Sequence, residues 1–414
     1  SEIIIAVPTA KASRMREILG LCKECSLNFK TVPSMGELIN GKITVNEIRD
    51  VEYRDLLGRK PVNLEEERIG GYLKGRTVLV TGAGGSIGSG LCRQVARFHP
   101  ECIILFERAE SPLYEIELEL KNGFENIRII PCLGDIQHRD ELEKVFEEFR
   151  PEIVFHAAAY KHVPMLENQP WKAVETNICG TENLVQTADA YGTEKFVFVS
   201  TDKAVNPVNI MGVSKRVSEM IVQNRSLRGS SATSFMTVRF GNVIGSVGSV
   251  IPLFKKQIKA GGPVTVTHPD MIRYFMLIPE ACQLILQSGA MGKGGEIFIL
   301  EMGQPVKIAE MAKDLIKFSG FEPDVDIRIE YTGLRSGEKL YEELMTETED
   351  VLPTRHEGIL VLNASRCDMK QVNGWIQKLK HASETRDAEE IKQLLQSVVP
   401  EYEAFQAKQP CQYN

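Results

Sequence analysis

The stretch Val78-Leu-Val-Thr-Gly82-Ala-Gly-Gly85-Ser-Ile-Gly88 constrains the fold more than any other part of the chain. An apolar run of strand type enters a glycine cluster, and an amphipathic pattern from Ser86 to Phe98 begins at once. Glycines at such a junction allow a tight turn, let backbone N–H groups approach a pyrophosphate, and bring helix and strand close together. The helix N-terminus adds a partial positive charge facing the anion. A second apolar run, Cys102 to Glu107, ends in a carboxylate 25 residues beyond Gly82. That is near the ~20 expected for an acid accepting from the ribose hydroxyls of a bound dinucleotide. A carboxylate there repels a 2′-phosphate and favours NAD over NADP, whereas the neighbouring Arg108 offers such a phosphate a partner.

From Arg76 apolar runs alternate with amphipathic ones, which predicts a parallel sheet covered on both faces. Strands are expected at Thr77 to Thr81, Cys102 to Glu107, Ile127 to Cys132, Ile153 to Ala157, Lys195 to Ser200 and Phe235 to Phe240. Helices are expected at Ser86 to Phe98, Ser111 to Asn122, Arg139 to Phe149, Trp171 to Tyr191 and Met211 to Arg228. The fold class is therefore α/β, a doubly wound Rossmann-type parallel sheet. Four regions are expected: a partial N-terminal βαβ unit (1–50), a connector (51–75), a dinucleotide-binding Rossmann domain (76–240), and a smaller lobe with C-terminal helices (241–414).

The length of 414 residues and a 43% hydrophobic content suit a large α/β core with an appendage. A net charge of -7 with both signs interspersed argues against a nucleic-acid partner or a polybasic membrane patch. The nine cysteines show no regular spacing and suggest a reducing compartment, with Cys22-Lys-Glu-Cys25 read as ordinary thiols and no metal site expected. No run approaches the ~20 apolar residues that span a bilayer. The start Ser-Glu-Ile-Ile-Ile lacks the features of a signal peptide, so the expectation is a cytoplasmic protein.

The densest polar stretch is Ser200-Thr-Asp-Lys-Ala-Val-Asn-Pro207, followed by Met211-Gly-Val-Ser-Lys215. It places the hydroxyl of Thr201, the carboxylate of Asp202 and the amine of Lys203 side by side at the carboxyl end of an expected central strand. Adjacent charges are commonly a solvated pair worth ~0–1 kcal/mol. Their place at the edge where doubly wound folds bind ligands points instead to acid–base work.

Thr81-Gly-Ala-Gly-Gly-Ser-Ile-Gly88, Gly134-Asp135-Ile136, His156-Ala-Ala-Ala-Tyr-Lys161 and Met211-Gly-Val-Ser-Lys215 together resemble the extended short-chain dehydrogenase/reductase superfamily. Ser200 to Pro207, Arg239-Phe-Gly-Asn-Val-Ile-Gly-Ser246 and Thr332-Gly-Leu-Arg-Ser-Gly-Glu-Lys339 are similar to the nucleotide-sugar 4,6-dehydratases, above all the large membrane-associated UDP-N-acetylglucosamine group. The resemblance implies an NAD-dependent lyase making a UDP-4-keto-6-deoxy-N-acetylhexosamine with retention at C5, for bacterial polysaccharide or protein glycosylation. It places the pyrophosphate over Gly82, Gly85, Ser86, Ile87 and Gly88, and the adenosine ribose at Glu107 and Arg108. Adenine falls beside Asp135 and Ile136, and the nicotinamide ribose near Ala157, Ala158, Ala159 and Lys215. Asn177 is expected to order the catalytic region. The substrate, UDP-N-acetylglucosamine, is expected at Lys161, Asn242, Ser249, Arg273, Arg335 and Glu338, with the guanidinium forks on the diphosphate.

In that scheme Asp202 protonates the leaving C6 hydroxyl and Lys203 takes the C5 proton. Met211 stands where the superfamily usually has the tyrosine that deprotonates the C4 hydroxyl, and a thioether exchanges no proton. The large dehydratase group carries methionine there, so the residue fits the resemblance. The acceptor of the C4 proton is left open among Thr201, Asp202, Lys203 and a water. Two other readings stand beside this one: a UDP-hexosamine 4-epimerase, which has no use for Asp202 and Lys203, and a non-catalytic NAD-responsive binding protein. Relatives of this type carry membrane helices ahead of a partial N-terminal domain. The resemblance thus implies the cytoplasmic portion of an inner-membrane-associated enzyme, forming a homo-oligomer.

Overall fold

The computed structural model describes residues 2–7, 12–25, 28–32, 49–50, 57, 62–226, 231–346, 349–362 and 369–404. Two compact units divide the chain. One comprises Leu64–Gly241, Ala281–Glu301 and Leu334–Asn414; the other Ser1–Asn63, Asn242–Glu280 and Met302–Gly333.

The first unit is built on a nine-stranded sheet. Seven strands are parallel: Thr77–Thr81, Cys102–Glu107, Arg128–Leu133, Ile153–His156, Lys195–Val199, Ser234–Arg239 and Ile297–Leu300. Numbered along the chain, they lie in the order 3-2-1-4-5-6-7. The order reverses between Thr77–Thr81 and Ile153–His156, and a crevice at such a reversal is where doubly wound sheets bind ligands. The inner strands carry no exposed side chain, which explains their continuous apolar sequences. The expected α/β class and Rossmann-type sheet are thus present, and the strand and helix boundaries agree to within a few residues.

Three further strands extend the sheet beyond the six expected. Ile297–Leu300 joins in parallel, and Ile359–Leu362 and Val351–Pro353 add to it antiparallel. The chain therefore leaves this unit at Asn242 and returns twice, so 241–414 does not form a single lobe. The stretch expected as a connector contains a helix, Glu66–Leu73, with Ile69, Tyr72 and Leu73 buried at helical spacing. The Tyr72 hydroxyl donates to the Leu286 carbonyl at 2.9 Å, satisfying its polar end. The expected Trp171 to Tyr191 helix is interrupted by a π-helical turn, Ala173–Cys179. C-terminal helices Met369–Thr385 and Ala388–Val398 pack their apolar residues into the same core.

In the second unit, Glu2–Ile5 and Asn28–Thr31 pair in parallel around the helix Ala12–Glu24, and Arg49–Asp50 adds antiparallel. Three short pairings carry its remaining strands: Asn242–Ile244 with Phe275–Leu277, Val264–Val266 with Ile329–Tyr331, and Ile272–Arg273 with Val306–Lys307. Residues 405–414 lie outside the described residues.

Candidate active site

At the sheet's reversal point the Thr77–Thr81 strand turns through Gly82 into the helix Ser86–Ala96. Gly82 has φ +68, and a Cβ there would meet the Ala158 backbone at 2.8 Å. A Cβ on Gly88 would lie 1.9 Å from the Gly82 carbonyl oxygen. These positions exclude side chains, so the turn presents bare backbone where the helix N-terminus begins. That arrangement fits a pyrophosphate, and Gly85, Ser86 and Ile87 lie in the same turn and helix start, with Gly85 N–H donating to Gly82 O at 2.9 Å. Ala157, Ala158 and Ala159 follow the neighbouring strand, with Ala157 N–H donating to Thr81 O at 3.2 Å.

Glu107 is less free than its sequence position suggests. It accepts from the backbone N–H of Gly84 at 3.1 Å and of Arg108 and Ala109 at 3.0 Å each. A carboxylate has about four acceptor sites, so about one remains beyond these three bonds. The Arg108 guanidinium lies 4.3 Å from the Tyr160 ring centre and 3.7 Å from Asp135, so its charge is already engaged. Asp135 accepts from Gln137 N at 3.0 Å. Ile136 is buried against Gly180, where a Cβ would meet it at 2.7 Å.

Asn177 sits in the π-helical turn and is buried. Its Oδ1 accepts from Tyr160 N at 2.9 Å, and its Nδ2 donates to Tyr160 O at 3.1 Å and to Ser214 Oγ at 2.9 Å. One amide thus ties the loop after Ala159 to the helix Ile210–Ser226. π-Helical turns are frequent at functional sites because they re-aim a side chain without ending the helix.

The polar stretch after Lys195–Val199 forms one hydrogen-bonded group. Thr201 Oγ1 donates to Asp202 Oδ1 at 2.9 Å, and Lys203 Nζ donates to the same oxygen at 2.9 Å. The Asp202 side chain is 0% exposed and that of Lys203 17%. Asp202 Oδ2 is buried with no hydrogen-bond partner among the described residues. Leaving such an atom unpaired costs about 1–3 kcal/mol or more, so it calls for a partner such as a water, an ion or a ligand. Next to this group the helix Ile210–Ser226 approaches so closely that a Cβ on Gly212 would lie 2.2 Å from Lys203 O. Asn209 Oδ1 and Glu167 Oε1 cap its start, accepting from Gly212 N at 2.7 Å and Ile210 N at 2.6 Å.

Met211 is 5% exposed and belongs to the apolar core. Lys215, one turn further, donates to Val199 O at 2.7 Å and lies 4.0 Å from the Phe198 ring centre. Burial lowers its pKa from 10.5 to about 7, against the opposing pull of Glu219. The remaining candidates are divided between the units. Lys161 is exposed, and Arg335 and Glu338 share a turn in which Glu338 Oε2 accepts from Arg335 N at 3.2 Å. In the second unit Asn242 N donates to Tyr274 O at 3.1 Å, Arg273 Nη1 donates to Ile272 O at 2.7 Å, and Ser249 Oγ is buried without a partner among the described residues.

Sequence reasoning missed several supports. Ser200 Oγ donates to Glu219 Oε1 at 2.6 Å, and Glu219 is gripped by Arg239 through bonds of 2.8 and 2.7 Å. Arg239 also donates to Glu349 at 3.0 Å. His156 bridges Thr81 at 2.8 Å and Thr181 at 2.9 Å, and burial holds its pKa well below the usual imidazole range. The carboxylate of Glu342 stands 3.6 Å from Lys203 Nζ. The motifs holding Ser200, His156 and Arg239 are recognisable in the sequence, but pairing across 19 to 110 residues leaves no local sign. Among the described residues no group of three or more metal-ligating side chains occurs, and no helix is long and apolar enough to cross a membrane.

Strand order, glycine turn and the lysine helix define a Rossmann fold of the short-chain dehydrogenase/reductase type. Residues 78–364 match the family described as "Polysaccharide biosynthesis protein", and the chain belongs to that family. It is 50% identical over 349 residues to the capsular polysaccharide biosynthesis protein CapD of Staphylococcus aureus, covering 84% of this chain but 58% of that protein. It is 31% identical over 294 residues to a Campylobacter jejuni UDP-N-acetylglucosamine 4,6-dehydratase (inverting), covering 70% and 84% of the two. A Rickettsia canadensis UDP-glucose 4-epimerase is 34% identical over 291 residues, covering 68% and 81%. Among solved structures, Pen from Bacillus thuringiensis matches with a TM-score of 0.65 and 36% identity, over 70% of this chain and 90% of that one. DesIV, a dTDP-glucose 4,6-dehydratase from Streptomyces venezuelae solved with NAD, shares the fold with a TM-score of 0.58 at 21% identity, over 75% and 98%.

Proposed function

We propose that the chain dehydrates UDP-N-acetylglucosamine across C5 and C6 to the 4-keto-6-deoxy sugar, as an NAD-dependent hydro-lyase. One observation carries this reading: Thr201, Asp202 and Lys203 share one buried carboxylate oxygen at the end of a central parallel strand. An epimerase needs a proton acceptor at C4 but no acid and base for elimination. Bound at the glycine turn, the nicotinamide cofactor supplies hydride removal at C4 and its return at C6. The engagement of Arg108 by Tyr160 and Asp135, with Glu107 beside it, supports NAD over NADP. The names of the dehydratase and epimerase relatives support a UDP-sugar. The glycine turn of the nine-stranded unit is read as the dinucleotide site, and Asn242, Ser249 and Arg273 are read as sugar-nucleotide contacts.

The chain's own residues account for the protons. Thr201 Oγ1 receives the C4 hydroxyl proton while its own passes to Asp202 Oδ1. Asp202 is then a neutral acid and Lys203 works as a free amine. Lys203 takes the C5 proton, Asp202 gives its proton to the C6 oxygen, and water departs. Lys203 then returns its proton to the face from which it came, which gives retention at C5. Burial around Asp202 keeps bulk water from competing for these protons.

Incubating the protein with NAD and UDP-N-acetylglucosamine is expected to give a product lighter by one water, with C5 configuration read from proton coupling constants. Asp202→Asn and Lys203→Ala are each expected to lower turnover by at least ~100-fold, the scale of lost acid–base catalysis, with UDP binding retained. An isomerised sugar of unchanged mass would instead establish the epimerase. Absence of any turnover would leave a cofactor-binding protein.

A further inference from the structure

Lys203 has a second carboxylate that the proposed chemistry has not used. Glu342 Oε1 stands 3.6 Å from its Nζ, and the Glu342 side chain is 4% exposed. Exposed ion pairs of this kind contribute little. Here both side chains are largely withdrawn from water, and the segment carrying Glu342 is fastened beside the Lys203 turn. Asn209 Nδ2 donates to Gly337 O at 2.8 Å, and a Cβ on Gly337, which has φ +74, would meet Asn209 Cβ at 2.7 Å. Lys339 Nζ donates to Val205 O at 3.2 Å, and Asn206 Nδ2 to Glu343 Oε2 at 3.3 Å. These fastenings fall on both sides of Glu342 in the chain, one at the Gly337 carbonyl and two through the Lys339 and Glu343 side chains, and hold its segment beside the Lys203 turn.

The charges around Lys203 can be assigned in turn. Asp202 and Glu342 face its amine directly. On the helix packed against the turn, Lys215 is committed to Val199 O, and Glu219 to Arg239 and Ser200. Glu167 caps that helix at Ile210 N, and Lys339 pairs with Glu343 at 3.0 Å. Among the described residues Glu342 is thus a carboxylate beyond Asp202 that stands within 4 Å of the Lys203 amine.

Resting on the dehydratase reading, we propose that Glu342 is a positioning residue for Lys203, aiming its amine and keeping it basic in the step when Asp202 carries no charge. As the C5–H bond breaks, an Nζ–H bond forms and the C5 electron pair becomes the C5–C6 double bond. The C6–O bond breaks as oxygen takes the Asp202 proton and leaves as water. Before that step Asp202 is neutral and offers the forming ammonium no opposite charge. The Glu342 carboxylate, 3.6 Å from the amine, exchanges no proton in this step and offers the forming ammonium an opposite charge.

The test compares wild type, Glu342→Gln and Glu342→Asp by two readouts. The first is the pH profile of kcat/KM for water loss. An opposite charge within ~4–6 Å moves an ionisation by about 1–3 units. The acid limb of Glu342→Gln is therefore expected at least about one pH unit lower, with a reduced alkaline plateau because the base is weaker. Glu342→Asp keeps the charge and is expected to fall between the two. The second readout needs no turnover: competitive acylation of Lys203 by acetic anhydride across pH, mapped by peptide mass spectrometry. Its midpoint is expected to fall in Glu342→Gln and to be largely restored in Glu342→Asp. Superimposed labelling midpoints in folded wild type and Glu342→Gln overturn the proposal, as do superimposed acid limbs. Wild type that labels as expected but releases no water refutes the dehydratase reading while the labelling still decides the action of Glu342 on Lys203.

Discussion

Replacing Arg239 with methionine tests whether the buried ion network beneath Ser200 supports the site. The Arg239 side chain is 1% exposed and donates two bonds to Glu219, at 2.8 and 2.7 Å, and one to Glu349 at 3.0 Å. Removing one partner of a buried pair costs about 3–5 kcal/mol, because the other charge is left in a poorly solvating place. Arg216 Nη1 at 3.3 Å and Ser200 Oγ at 2.6 Å stay with Glu219 and offset part of this, so a loss of roughly 3 kcal/mol is expected for Arg239→Met. Both tryptophans of the chain, Trp171 and Trp375, lie in the nine-stranded unit, so urea unfolding followed by their fluorescence reports on that unit. The pH dependence provides a second check. Burial alone would raise the Glu219 carboxyl, but Arg239 outweighs it and holds the group below its usual value of 4.5. A depressed carboxyl contributes stability that is fully present above the unfolded value and is lost as pH falls through the folded one. Wild type should therefore lose stability on acidification below about pH 4.5 more steeply than Arg239→Met. A variant within about 1 kcal/mol of wild type at pH 7, or with a parallel acid profile, would refute the reasoning.

Two further outcomes follow from the same geometry. Gly88→Ala sets a Cβ against Gly82 O and should weaken NAD binding at least about tenfold by calorimetry, whereas Gly123→Ala, with nothing within 4 Å, should leave it unchanged. Lys215 is lowered to about 7 by burial, so it penalises the folded state fully below pH 7 and progressively less toward pH 10.5. Lys215→Met should therefore unfold at higher urea than wild type at pH 6–7, by roughly 3 kcal/mol, with the gain shrinking as pH rises.

The parallel sheet was legible because its inner strands are buried on both faces and spell apolar runs, as in Val78 to Val80 and Phe196 to Val199. Ile297–Leu300 and Ile359–Leu362 are equally apolar, yet they follow a long excursion into the second unit and break the alternation on which the reading relied. The Glu66–Leu73 helix was hidden by Gly70 and Gly71, which signal a turn locally; burial of Ile69, Tyr72 and Leu73 outweighs that preference. In the site, residues carried by short contiguous motifs were visible, among them Gly82, Asp202 and Lys203. Glu342 was not, because its relation to Lys203 depends on how the Gly337 turn is fastened to Asn209.

Met211 looked like the gap in the chemistry, and its surroundings explain why a proton-bearing side chain there is not required on the proposed reading. The residue is 5% exposed among apolar neighbours, so a tyrosine hydroxyl at this position would need a partner or carry a desolvation cost. Lys215, which would depress such a hydroxyl's pKa, is instead bonded to Val199 O beside Phe198. On the proposed reading the hydroxyl function falls to Thr201, ten residues upstream, whose bond to Asp202 Oδ1 ends on the carboxylate proposed to need a proton later. One proton can then travel from the C4 hydroxyl through Thr201 and Asp202 to the departing water. On the proposed reading the thioether of Met211 takes no part in proton transfer, which is left to the adjacent Thr201, Asp202 and Lys203.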